Sequence, residues 1–185
     1  ENDIFFAFSG ENFNAAVSAE EAIHKGALAV IVEDRTFENI DSNIFYVPST
    51  LHFLQELASY HRNEVKIPII ALTGSNGKTT TKEIIHAVLS QKYNVQYTFG
   101  NLNNHIGVPL TLLSIKPEHQ LAVVEMGANH QKEIELLCKI AQPNYGYITN
   151  FGKAHLEGFG GFAGVIKGKS ELYDYLKSAG QTILV

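Results

Sequence analysis

The chain has 185 residues, 45% hydrophobic and 18% charged, enough to bury a core without disulfide or metal staples and too apolar for a disordered chain. A net charge of -5 argues against a broad nucleic-acid footprint, and one cysteine excludes an internal disulfide framework or a multi-cysteine zinc site. No apolar run approaches the ~20 residues of a membrane span, so the expectation is a protein of a reducing compartment, most simply the cytoplasm, without membrane insertion.

Strand-like and helix-like patterns alternate along the chain. Residues 4–8 read as a strand and 18–25 as a short helix, with Ser18 and Glu21 spaced for a capping box and Gly26 as a stop. Two short apolar strands follow at 28–32 and 44–47. Residues 49–62 then form a helix with Leu51, Leu54, Ala58 and His61 on one face. Proline disfavours helix in the residue before it, so the Pro68 region marks a boundary: 1–64 is one α/β unit and 65–185 a second. The second opens with a β-rich run, 69–73, and a helix whose inner face is expected to carry Ile84, Ile85, Val88 and Leu89. Strands are predicted at 95–98, 121–124, 145–149 and 182–185, and helices at 131–141 and 162–176. Cys138 falls on the apolar face of its helix and reads as a core residue. Apolar strands alternating with amphipathic helices imply an α/β fold with a parallel sheet covered on both faces. The chain begins without Met and stops inside an apolar run, so a piece of a longer protein is expected.

The strongest chemical signal is the loop Gly74, Ser75, Asn76, Gly77, Lys78, Thr79, Thr80, lying between a strand and a helix. Its glycines let successive amides turn toward one anion, and the helix start adds its positive dipole end. Lys78 would reach the terminal phosphates of a nucleotide and the Thr79 hydroxyl would hold Mg2+. The loop reads G-x-x-G-K-T, shorter than the usual spacing, and an ordinary glycine-rich turn is the plainer alternative. Glu125 ends a fully apolar strand and suits a metal ligand at the carboxyl edge of a parallel sheet, or a solvated strand-end acid. His155 also follows a strand end, where packing or surface exposure competes with a metal role. Lys169 shares the stripe of Phe162, Val165, Ile166, Leu172, Tyr173 and Leu176, where a lysine needs a partner, a neutralising modification or a snorkelling route to water. Gly168 beside it implies a close approach of backbone.

Residues 73–81, the stretch Gly100 to Thr111 with its Asn103-Asn104-His105-Ile106-Gly107-Val108-Pro109 core, Glu125 to His130, and 150–160 together resemble the Mur ligase family, across nearly the whole chain. The asparagine-rich loop resembles most specifically the member that joins D-alanyl-D-alanine to UDP-N-acetylmuramoyl-tripeptide in peptidoglycan precursor synthesis. The resemblance implies three domains: one for the UDP-muramoyl peptide, to which 1–64 would belong without its start, a central ATPase domain begun by 65–185, and a third for the amine. It implies an ADP-forming carboxylate–amine ligase acting through an acyl phosphate, with ATP and Mg2+ bound and a monomeric state. By the same resemblance Thr79 and Glu125 would hold one metal and His155 a second, Lys169 would be carbamylated and catalytic with Lys78 and His155, and Asn103 and Asn104 would face the muramoyl peptide. Ser9 stands where the family commonly has a basic residue, the chain begins after the position of the family's upstream Asp-Ser/Thr-Arg element, and Gly168 replaces a usual alanine. The 185-residue stretch alone is expected to bind nucleotide weakly and not to ligate. A sister ligase, such as another muramoyl-peptide ligase or folylpolyglutamate synthetase, remains the nearest alternative. A P-loop switch GTPase or non-ligase nucleotide module is the more distant one; no clear guanine-reading Asn-Lys-x-Asp is present.

Overall fold

The computed structural model describes residues 3–185. The chain divides into two compact units, one ending at Glu56 and the other running from Leu57 to Val185. In the first, strand β1 (Ile4–Phe6) stops two residues short of the expected end at residue 8, and a small antiparallel hairpin, β2 (Ser9–Gly10) with β3 (Phe13–Asn14), follows. Helix α1 (Ala19–His24), strands β4 (Ala29–Val32) and β5 (Ile44–Tyr46), and the start of helix α2 (Thr50–Val65) complete it. The three strands β1, β4 and β5 form a parallel sheet in that order. The Ser18–Glu21 capping box does not form: Ser18 makes no side-chain cap bond. Ser18 is the last residue of a 3-10 turn, Ala15–Ser18, and its ψ of 9° is far from the extended geometry an N-cap needs. At the other end, Glu33 Oε1 accepts from both the amide (2.6 Å) and the hydroxyl (2.9 Å) of Thr50, fixing the start of α2.

The two units part inside α2 rather than at its end, where the sequence places the boundary. The reason is the last turns of the helix. Ala58 belongs to the second core, and the buried Arg62 donates to the carbonyls of Ala141 (3.0 Å) and Gln142 (3.2 Å) and to Asn144 Oδ1 (3.0 Å).

The second unit runs β6 (Ile69–Thr73), α3 (Lys78–Leu89), β7 (Val95–Tyr97), α4 (Gly107–Leu113), β8 (Leu121–Glu125), α5 (Glu133–Ala141), β9 (Tyr145–Ile148), α6 (Leu156–Phe159), α7 (Phe162–Ser178) and β10 (Thr182–Leu184). Its five strands are all parallel, in the order β10-β9-β6-β8-β7. The core on one face joins Ile69 and Ala71 to Val108, Leu112, Ile134, Leu137, Cys138, Val165, Leu172 and Leu176. Cys138 is fully buried, and burial pushes its thiol pKa up, as expected of a packing residue.

Three details differ from the sequence pattern. In α3 the face toward the sheet carries Lys82, Ile85 and Leu89, while Ile84 and Val88 are 59% and 65% exposed. The i, i+3, i+7 spacing from Lys82 defines that face, and a lysine hides it from a count of apolar residues. In α7, Phe162 and Ile166 are exposed, and the buried stripe is Val165, Lys169, Leu172 and Leu176. Helix α4, which the sequence shows only as a loop motif, accommodates Pro109 in its first turn, where no intrahelical amide is needed.

Candidate active site

Strand β6 is the centre of the sheet, with β8 on one side and β9 on the other. Its carboxyl end is therefore where chain connections diverge in opposite directions, the place at which open parallel sheets bind ligands. The loop Gly74–Gly77 leaves β6 at this point. Gly74 has φ 145°, and a Cβ there would lie 2.0 Å from Thr149 Oγ1; Gly77 has φ 76°. Both positions thus require glycine. The end of β9 braces the loop. Ser75 N donates to Asn150 O (3.1 Å), Asn76 N to Asn150 Oδ1 (3.1 Å), and Thr149 Oγ1 to Asn76 O (2.7 Å). Ser75 Oγ donates to Gly152 O (3.1 Å). These braces hold the phosphate loop before any ligand arrives. A polar Thr-Asn pair at a strand end was the available signal for them, and sequence reasoning did not assign it a role.

Lys78 folds over the loop, donating to Gly74 O (2.8 Å) and more weakly to Ser75 O (3.4 Å). Burial lowers its pKa, and the Glu125 carboxylate opposes that shift. Glu125 is 1% exposed at the end of β8. Its Oε1 accepts from Asn103 Nδ2 (2.7 Å) and, at 3.4 Å, from the Thr79 hydroxyl. Its Oε2 is buried without a hydrogen-bond partner. A buried carboxylate oxygen left unpaired is costly unless a cation or donor meets it. Beside a phosphate loop and a threonine hydroxyl, this donor set fits Mg2+, which takes one or two protein oxygens and completes its shell with phosphate and water. Among the described residues no group of three His, Cys, Asp or Glu side chains stands ready for a metal.

Lys169 is 2% exposed. Its ammonium donates to Ala128 O (3.0 Å), three residues past Glu125, and sits 5.0 Å from the centroid of the Phe159 ring. It does not snorkel. Burial first, and then the charge of Lys78, lower its pKa from 10.5 to about 8, while Glu133 and Glu171 pull the other way. The expected close approach at Gly168 is to Phe159, whose ring would meet an added Cβ at 2.4 Å.

The asparagines divide. Asn103 points at Glu125, and its backbone carbonyl also accepts from Gly127 N (2.7 Å). Asn104 Oδ1 instead accepts the amides of Ile106 (3.0 Å) and Gly107 (2.9 Å) and closes the entry to α4. Thr80 is exposed on the first turn of α3. His155 is exposed, in a left-handed conformation (φ 54°) just before α6, and no hydrogen bond or ion pair joins its ring to Thr79 or Glu125.

The family model described as the Mur ligase middle domain matches residues 72–185, more than half of the chain. The chain belongs to the Mur ligase family. It is 43% identical over 187 residues to the UDP-N-acetylmuramoyl-tripeptide–D-alanyl-D-alanine ligase of Haemophilus influenzae, a match covering 99% of this chain and 41% of that protein. The crystal structure of MurF from Acinetobacter baumannii superposes with a TM-score of 0.85 at 38% identity, over 98% of this chain and 44% of that one. MurF ligase from Thermotoga maritima in complex with ADP also gives 0.85, at 36% identity, over 95% and 40% of the respective chains. The chain spans about two fifths of the length of the curated relatives it matches. Its α/β fold with parallel sheets is the Mur ligase fold of those structures, and the phosphate loop stands at the start of the matched middle domain.

Proposed function

We propose that the protein to which this chain belongs is an ATP-dependent ligase that joins D-alanyl-D-alanine to UDP-N-acetylmuramoyl-tripeptide. The observation that carries this reading is the buried, unpaired Glu125 Oε2 beside Thr79 and the phosphate loop, in a chain 43% identical to a ligase of that name. The terminal carboxylate of the peptide attacks the γ-phosphorus of ATP and releases ADP. The amine of D-alanyl-D-alanine then attacks the acyl phosphate, forming the amide and releasing phosphate and a proton. The loop amides of Gly74 to Thr80 and the Lys78 ammonium would bind the β- and γ-phosphates and offset charge as the phosphoryl group transfers. Thr79 and Glu125 would hold Mg2+, which supplies further charge neutralisation there. His155 would hold a second metal, as the family resemblance implies. Asn103 and Asn104 belong to the loop facing the muramoyl peptide. Lys169 is the group carbamylated by CO2. Only a neutral amine reacts with CO2, and a buried lysine with a pKa of about 8 presents far more neutral amine near pH 7 than an ordinary one. The protein acts as a cytoplasmic monomer.

The test is ADP release by the full-length protein with UDP-N-acetylmuramoyl-tripeptide and a panel of amines. Release that depends on D-alanyl-D-alanine is expected. Release supported equally by a single amino acid or by glutamate would assign the protein to a sister ligase.

A further inference from the structure

Lys82 is the largest fully buried side chain among the described residues, at 0% exposure, and lies one helical turn beyond Lys78. Its ammonium donates to Gly100 O (3.3 Å), pairs with Glu83 Oε1 (3.1 Å) and lies 5.5 Å from the centroid of the Tyr97 ring, on which His86 stacks at 3.7 Å. Glu83 is half exposed, so this is not a sealed ion pair. A buried lysine carries a desolvation cost, and an apolar side chain of similar length would fill the same space without it. Packing alone therefore does not account for the charge.

The Gly100 carbonyl belongs to the short loop between β7 and Asn103. The β7 end of that loop is fixed on β8: Thr98 N donates to Val123 O (3.0 Å) and Thr98 Oγ1 accepts from Glu125 N (3.0 Å). Its far end is fixed by Asn103, which meets both Gly127 N and the Glu125 carboxylate. Between these ends the chain turns through Gly100 (φ 54°), with Leu102 N on Phe99 O (3.2 Å) and Asn103 N on Asn101 O (2.8 Å). Lys82 is the side chain that ties this middle section to the helix carrying the phosphate loop.

We propose that Lys82 is a positioning residue: by holding the Gly100 carbonyl it sets the loop from which Asn103 orients the Glu125 carboxylate, so that α3 aligns both the phosphate-binding lysine and the metal-binding acid. This rests on the reading of Glu125 as a metal ligand. The test uses full-length protein with ADP, reading Mn2+ affinity by electron paramagnetic resonance and amide exchange by mass spectrometry. In Lys82→Met, Mn2+ should bind about 10–100-fold more weakly, as for loss of other groups that orient a metal ligand. Exchange should quicken at Leu102, Asn103 and Gly127 but not in β6, with metal-free ADP affinity unchanged and no fall in melting temperature. Lys82→Met combined with Asn103→Ala should weaken Mn2+ binding no more than Asn103→Ala alone, because Lys82 acts through Asn103. If Lys82→Met fails to fold, Lys82→Gln, too short to reach Gly100, carries the same comparison. Wild-type Mn2+ affinity with wild-type exchange in a folded variant, or additive losses in the double variant, would overturn the proposal. Wild-type Mn2+ affinity in Glu125→Gln would instead overturn the metal reading beneath it.

Discussion

Lys169 on the buried stripe of α7 and Lys78 at the start of α3 are both lysines whose pKa burial lowers. For Lys169 the linkage has a definite sign. The folded state binds its proton less tightly than the unfolded chain, so the cost of burying the ammonium is fully present below about pH 8 and fades as pH rises toward 10.5. Stability should therefore climb across that window in the wild type, and the climb should flatten in Lys169→Met; denaturant midpoints taken across the window check this. In the full-length enzyme Lys169→Ala should lose turnover and regain part of it with added short carboxylates, which can stand in for a carbamate. Wild-type turnover without them would reduce the lysine to packing. For Lys78→Ala, MgATP turnover should fall by at least about 10²-fold, the scale of losing one charge-stabilising group, while circular dichroism stays unchanged. Unchanged turnover would remove the loop from the chemistry.

At the scale of elements, α5 and α7 are joined by one carboxylate. Glu171, buried on α7, accepts the amides of Lys132 (2.6 Å) and Glu135 (3.0 Å) at the start of α5. It thereby caps a helix that follows Glu125 in the chain and braces the helix that carries Lys169. Glu171→Ala should destabilise the protein by about 1–3 kcal/mol, through the loss of a cap and the stranding of two amides; urea unfolding reads it directly. Such long-range braces are what the sequence conceals. The phosphate loop, the alternation of strands and helices and the buried Cys138 were legible, because each is fixed by local spacing and composition. The α3 inner face was not, because Lys82 occupies the position an apolar residue would have marked. Helix α4 was hidden by Gly107 and Pro109, two residues that ordinarily argue against a helix. Glu125 and Lys169 could be nominated from strand end and helix stripe. That Asn103 would turn its carboxamide onto Glu125 depends on a contact between the loop after β7 and the end of β8, which no local pattern encodes.

For the whole molecule, parallel order places β6 between β8 and β9, and this one topological fact brings the phosphate loop, Glu125 and the bracing Thr149–Asn150 pair into a single crevice. Lys169, on α7, donates to the Ala128 carbonyl three residues past Glu125. No helix among the described residues is long and apolar enough to cross a membrane. The proposed activation of a carboxylate by phosphorylation in this crevice is tested most directly by giving the full-length protein UDP-N-acetylmuramoyl-tripeptide labelled with 18O in its terminal carboxylate, together with ATP and D-alanyl-D-alanine, and weighing the phosphate released. An acyl phosphate intermediate predicts one 18O atom in each phosphate formed per amide bond. Unlabelled phosphate released alongside the amide would contradict it.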